Sequence, residues 1–131
     1  MAFTGVPSQV VVAYWEEYEY RHRGDDVRAD ASFWAWEVVD GAARHGSDSV
    51  LGLLVALADA ARDDAALAYL GAGPVEDLVN GHGERLGHAI EAAADEHPAF
   101  AKTLCSINYC AETEGQREVE HRLQRFRCLP G

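Results

Sequence analysis

His82-Gly83-Glu84 is where catalytic chemistry could most readily start in this chain, because a histidine that holds zinc and a glutamate that moves protons form half of a zinc deaminase site. The other half is missing. It needs Pro-Cys-x-x-Cys, whereas Pro98 stands well before Cys105, and Cys105 and Cys110 are separated by four residues. A helix C-terminus, with a histidine near its carbonyls and Gly81 and Gly83 for the turn, accounts for the same residues. Cys105, Cys110, Cys128 and His121 are four soft zinc donors by type. Positions i and i+5 on one helix point about 140° apart, so Cys105 and Cys110 converge only if a helix ends between them. Buried free thiols are the simpler reading. Ser49, Cys105 and Ser106 lie in no Gly-x-Ser-x-Gly elbow or comparable nucleophile frame. Any unrecognised active site would have to draw on His82, Glu84, His88 or Cys105. No catalytic residue, cofactor or metal site is assigned.

Gly71-Ala72-Gly73 precedes a helix, as phosphate loops do, but no Lys-Ser/Thr follows and Glu76 and Asp77 in the next turn would repel an anion. The adjacent carboxylates Glu16-Glu17, Asp25-Asp26 and Asp63-Asp64 are placed as caps and solvated helix faces. What remains is a binding pattern. Acids surround the aromatic cluster Tyr14-Trp15-Tyr18-Tyr20 and the pair Trp34, Trp36, a combination suited to an Arg- or Lys-rich partner. Trp15, Tyr18 and Trp34 read as core, while Tyr14, Tyr20 and Trp36 fall off the main stripes. The candidate partner-binding residues are Glu16, Glu17, Glu19, Tyr20, Asp25, Asp26 and Trp36.

The elements that must position these residues read as helices. Ser8 caps a first helix ending at Gly24, with Val11, Trp15, Tyr18 and His22 as its apolar stripe. Asp30 caps a second, lined by Trp34, Val38 and Ala42 and ending at His45-Gly46. Ser47 or Asp48 opens a third, almost wholly apolar from Val50 to Leu57, which should be central. Asp63-Asp64 opens a short fourth through Leu70. Gly71 and Gly73 then supply the positive φ angles of a helix stop, with Pro74 at the next start. A fifth helix ends at Gly81 and Gly83, a sixth runs to His97, and Pro98 separates a seventh containing Phe100, Leu104 and Ile107. Residues 111–131, charged with a thin stripe of Val119, Leu123 and Phe126, form a terminal helix docked late or a frayed tail. No segment alternates as a half-buried strand does. The fold class is all-α in one domain over residues 1–131, either a compact bundle of short antiparallel helices or a HEAT-like α-solenoid.

The block from Leu53 to about Ile107, carrying Leu70-Gly71-Ala72-Gly73-Pro74-Val75-Glu76-Asp77-Leu78-Val79, His82-Gly83 and Pro98-Ala99-Phe100, resembles an uncharacterised family of small bacterial helical domains. The resemblance spans a little under half of the chain and implies an all-helical cytosolic protein. It brings no catalytic residue across, and residues 1–46 and the charged tail fall outside it.

Composition sets the outer bounds. The 131 residues carry a net charge of −11 and are 48% hydrophobic, enough for one modest core. All of the excess charge falls in residues 1–100, with 18 acidic against 6 basic side chains, whereas the remainder has 4 against 5. Such a surface repels nucleic acid and anionic membranes and speeds encounter with basic proteins. No positive n-region precedes an apolar run, Val50 to Ala58 is far shorter than the roughly 20 residues that cross a bilayer, and three cysteines make no disulfide framework. A cytoplasmic location with reduced thiols is expected. The function these features favour is binding of a basic protein, as an immunity-type or inhibitor protein would bind a toxin or effector. A scaffold acting as a homodimer is the alternative, and the sequence leaves the oligomeric state open.

Overall fold

A computed structural model describes residues 8–105 and 107–128, so Ser106 and both chain ends lie outside it. The described chain is all-α and contains no strand: α1 (Ser8–His22), α2 (Asp26–His45), α3 (Val50–Asp59), α4 (Asp64–Leu70), a π-helical turn (Gly71–Val75), α5 (Glu76–Glu96), α6 (Pro98–Thr103) and α7 (Glu114–Leu123), followed by a short 3₁₀ turn, Gln124–Phe126. The helices form a compact bundle. No described helix is long and apolar enough to cross a membrane.

Helix α3 is the centre, as its composition requires. Every residue from Val50 to Asp59 except Ala56 and Asp59 is buried, and Leu54 and Leu57 are fully enclosed. Helix α1 packs on α2, and α3 touches α1, α2, α4, α5 and α6. Gly24 and Gly46 adopt left-handed conformations at the ends of α1 and α2 (φ 79° and 68°), where only glycine is unstrained. The cap of α2 is Asp25 rather than Asp30, its side chain accepting from the Arg28 N–H at 3.2 Å. Asp63 caps α4 through Ala66 N–H at 2.9 Å. Helix α3 follows Ser49, not Ser47 or Asp48, and has no side-chain cap.

Two expected helix stops are corrected. Gly71 and Gly73 do not stop a helix with positive φ: Gly71 is right-handed helical, and the break is a kink at Gly73 (φ −109°, ψ −105°) that merges into α5 through Pro74. Gly71 is required for another reason, since a Cβ there would collide with the carbonyl oxygen of Thr103 on α6. Gly81 and Gly83 do not end a helix either, because α5 runs unbroken for 21 residues. Gly83 and Gly87 instead form a groove for Val119 of α7, whose methyls lie 3.0 and 3.6 Å from where their Cβ atoms would be. The charged tail is the docked helix of the two alternatives. A capping box at Thr113 and Gln116 starts α7, Val119 and Leu123 are buried, and Arg125 ties it to Glu91 and Asp95 of α5 at 3.0 and 2.8 Å. Hydrogen bonds from Arg125 hold both carboxyls below their usual range.

The buried faces of α1 and α2 are also rotated from the expected stripes. On α1 the inward residues are Val10, Ala13, Tyr14 and Glu17, one position away from Val11, Trp15, Tyr18 and His22. On α2 they are Ala29, Ala35, Val39 and Ala43, and Phe33, Trp34 and Val38 face solvent. Trp34, expected in the core, is 46% exposed. Small residues on α2 let α1 approach closely, and this contact leaves the bulky side chains outside.

Close approach makes two glycines opposite in effect. Gly71→Ala should lower stability in urea denaturation by about 2–3 kcal/mol, because backbone rather than a flexible side chain must yield. Gly81→Ala, with open space around its Cβ, should raise stability by about 0.5–1 kcal/mol through helix propensity alone.

Candidate functional site

The expected partner-binding residues divide among three places. Glu16, Glu19 and Tyr20 line one groove together with Val11, Val12 and Trp15, about 390 Å³ in volume, between α1 and the α3–α4 connection. Trp15 is fixed there by an indole N–H donating to Leu57 O at 3.0 Å. Glu19 is paired with Arg62 at 3.2 Å and Arg23 at 3.5 Å, so its charge is largely met within the fold. Glu16 is exposed and makes no ion pair or hydrogen bond among the described residues. The groove therefore offers a partner an apolar wall and one unpaired carboxylate.

Glu17 is not a surface acid. It is 5% exposed, and its carboxylate accepts from Arg21 Nε at 2.9 Å. Arg21 also reaches Asp26 at 3.4 Å and Asp30 at 3.1 Å, closing the α1–α2 corner, and the bonds to Glu17 and Asp30 raise its pKa. Asp25 is the α2 cap, and Arg28 lies over the Tyr20 ring at 5.6 Å. These acids at the corner stabilise structure first. The i, i+1 spacing of Glu16 and Glu17 put both on the same list, although neighbouring helix positions point about 100° apart.

Trp36 sits elsewhere, in a second cleft of about 430 Å³ between α2 and the π-helical turn. Its ring stacks on Phe33 (5.2 Å, 13° between planes). Tyr14, Tyr69, Asp40, Arg44, Gly73 and Asp77 complete the walls. Tyr14 is 1% exposed, yet its hydroxyl has no hydrogen-bond partner among the described residues. Burial pushes its pKa up, helped by the nearby Tyr69, Glu17 and Asp40. Burial likewise raises Tyr69, with Glu17 adding to the rise and a hydrogen bond with Trp36 opposing it. Asp40 Oδ2 is ion-paired with Arg44 Nε at 3.1 Å. Tyr14 lies off the main stripe of α1, and no sequence signal marks Tyr69, Asp40 or Asp77 for a common cleft; the packing of α4 and of the kinked turn at Gly73 against α1 and α2 brings Tyr69 and Asp77 to Tyr14 and Asp40.

The metal and nucleophile candidates are not gathered. His82 donates through Nε2 to Arg44 O at 2.7 Å, and Arg85 donates to Gly46 O, so α5 satisfies the open carbonyls at the end of α2. His88 accepts at Nδ1 from Arg122 at 2.9 Å. Glu84 lies against Gly115 of α7. Cys105 is joined to Cys128 by a disulfide with Cα atoms 4.7 Å apart, which corrects the expectation of reduced, buried thiols, and Cys110 is exposed. Among the described residues no three His, Cys, Asp or Glu side chains converge as a metal site would require.

A family model covers residues 22–129 and is described as a family of unknown function, DUF6869. The chain belongs to this family. The DUF6869 match extends beyond the block from Leu53 to Ile107 to take in α2 and α7, which sequence resemblance alone had left aside. No curated protein and no solved structure matches the chain. Both clefts are built partly from α1, most of which precedes the matched segment.

Adjacent acids of opposite exposure give a direct check. Glu17→Lys should cost more than about 2 kcal/mol in urea denaturation, since it buries a charge facing Arg21. Glu16→Lys should change stability by less than about 0.5 kcal/mol.

Proposed function

We propose that this DUF6869 domain works in the cytoplasm by binding a basic protein, in the manner of an immunity or inhibitor protein that neutralises a toxin or effector. The supporting observation is the groove along α1, where Val11, Val12 and Trp15 offer buriable area beside the unpaired carboxylate of Glu16. Apolar area supplies affinity once desolvated, and acids around it set encounter rate and the sign of the partner. The net charge of −11 extends that attraction beyond the groove at low ionic strength.

A second reading, a scaffold that pairs with its own copy, is favoured by α2. Val27, Ala31, Trp34, Val38, Gly41 and His45 recur at steps of four and three residues, and all are exposed. That spacing is the seam of a helical pair. An antiparallel second copy would set Trp34 against Val38 and Ala31 against Gly41, bulky on bulky and small on small.

Affinity capture from the native cell at low salt, with wild type and the Glu16→Lys/Glu19→Lys variant side by side, tests the first reading. A basic protein held by wild type and lost from the variant supports it. Equal retention by both, or retention of acidic proteins alone, overturns it. Light scattering across a concentration series tests the second: mass should rise towards a dimer in wild type and stay monomeric in Trp34→Glu. A wild type that remains monomeric throughout rules it out.

A further inference from the structure

The cleft between α2 and the π-helical turn has no part in the groove reading, and its chemistry is more specific. Three aromatic side chains, Tyr14, Trp36 and Tyr69, form its walls with two carboxylates, Asp40 and Asp77, against a single cation, Arg44. Arg44 Nε lies 3.1 Å from Asp40 Oδ2. Asp77 has no hydrogen bond or ion pair among the described residues. The Tyr14 hydroxyl is enclosed with no hydrogen-bond partner among the described residues and lies in electrostatic reach of Tyr69 and Asp40, both lining the cleft. An enclosed hydroxyl left without a partner is disfavoured, and a ligand donor supplies what it lacks. At Gly73 the backbone leaves helical geometry and nothing fills the space where a Cβ would be, so the wall stays open beside Asp77.

We propose that this cleft is a slot for a guanidinium group, supplied by an arginine side chain of a protein partner. Guanidinium is planar and donor-only, stacks on aromatic faces and reaches several acceptors at once, which fits Trp36 and Tyr69 as stacking surfaces and Asp77, Asp40 and the Tyr14 hydroxyl as acceptors. A cleft of about 430 Å³ is within the usual range for such sites. An anionic ligand would face two carboxylates against one arginine. The inference rests on the basic-partner reading only for the origin of the arginine; the slot itself is independent of it.

The probe is N-acetyl-arginine amide, followed through the indole N–H signal of Trp36 in NMR titration. The neutral isostere N-acetyl-citrulline amide and free arginine serve as the comparison arms. A saturable shift with the arginine amide is expected, weakened roughly tenfold for the citrulline amide and for Asp77→Asn, the size that loss of a charge-assisted hydrogen bond carries. Tyr14→Phe should bind more weakly while unfolding no earlier than wild type, an outcome that a packing role alone would not give. Absence of a saturable shift, equal binding of the citrulline amide, or full binding by Asp77→Asn overturns the slot. Tighter binding of free arginine than of the capped amide overturns the protein side chain as its source. Arginine-amide binding that persists when no basic protein is captured leaves the slot standing and removes the basic-partner reading alone.

Discussion

Helices in this domain meet through glycine and alanine, and that constraint organises the rest. Gly71 admits the Thr103 carbonyl, Gly83 and Gly87 admit Val119, and Ala29, Ala35 and Ala43 form the buried face of α2 with Val39. Each contact brings backbones together at the cost of side-chain volume on the buried face. Bulk is supplied instead by α3 and by Tyr14, Phe100, Leu70 and Leu78, which fill the space those contacts define. A helix with small residues inward must carry its large apolar residues elsewhere. On α2 they are outside, where Trp34 and Val38 are available to a partner and Trp36 forms a cleft wall.

Charge does structural work before it does anything else. Arg21 gathers Glu17, Asp26 and Asp30 at the α1–α2 corner, and Arg125 gathers Glu91 and Asp95 between α5 and α7. Among the described residues eight of the ten arginines and the one lysine pair with acids, and most of these pairs cross helix boundaries. Exposed pairs of this kind contribute little to stability individually. They also decide which acids remain unpaired: Glu16 and Asp77 lie at the two clefts with no hydrogen bond or ion pair among the described residues.

Helix α5 links the two themes. It uses His82 and Arg85 to complete the carbonyl end of α2, its glycines to seat α7, and Asp77 to edge the second cleft. His82-Gly83-Glu84 is therefore a packing motif in which the histidine faces one helix and the glycine another.

Helical class, the central place of α3, the Gly24 and Gly46 stops and the Asp63 cap were legible in the residues, because each depends on local periodicity, φ preference or a side chain reaching its own backbone. The choice between bundle and solenoid, the unbroken α5 and the docking of α7 were not, since glycine reads as a stop unless one knows that a neighbour needs the space. The inward faces of α1 and α2 were missed by the same reasoning, which takes the largest apolar residues to be the buried ones. Pairing of Cys105 with Cys128 and the gathering of Tyr14, Tyr69, Asp40 and Asp77 depend on residues far apart in the chain. Sequence fixes what each helix can present; only packing decides which face is used up in the core and which is left for a partner.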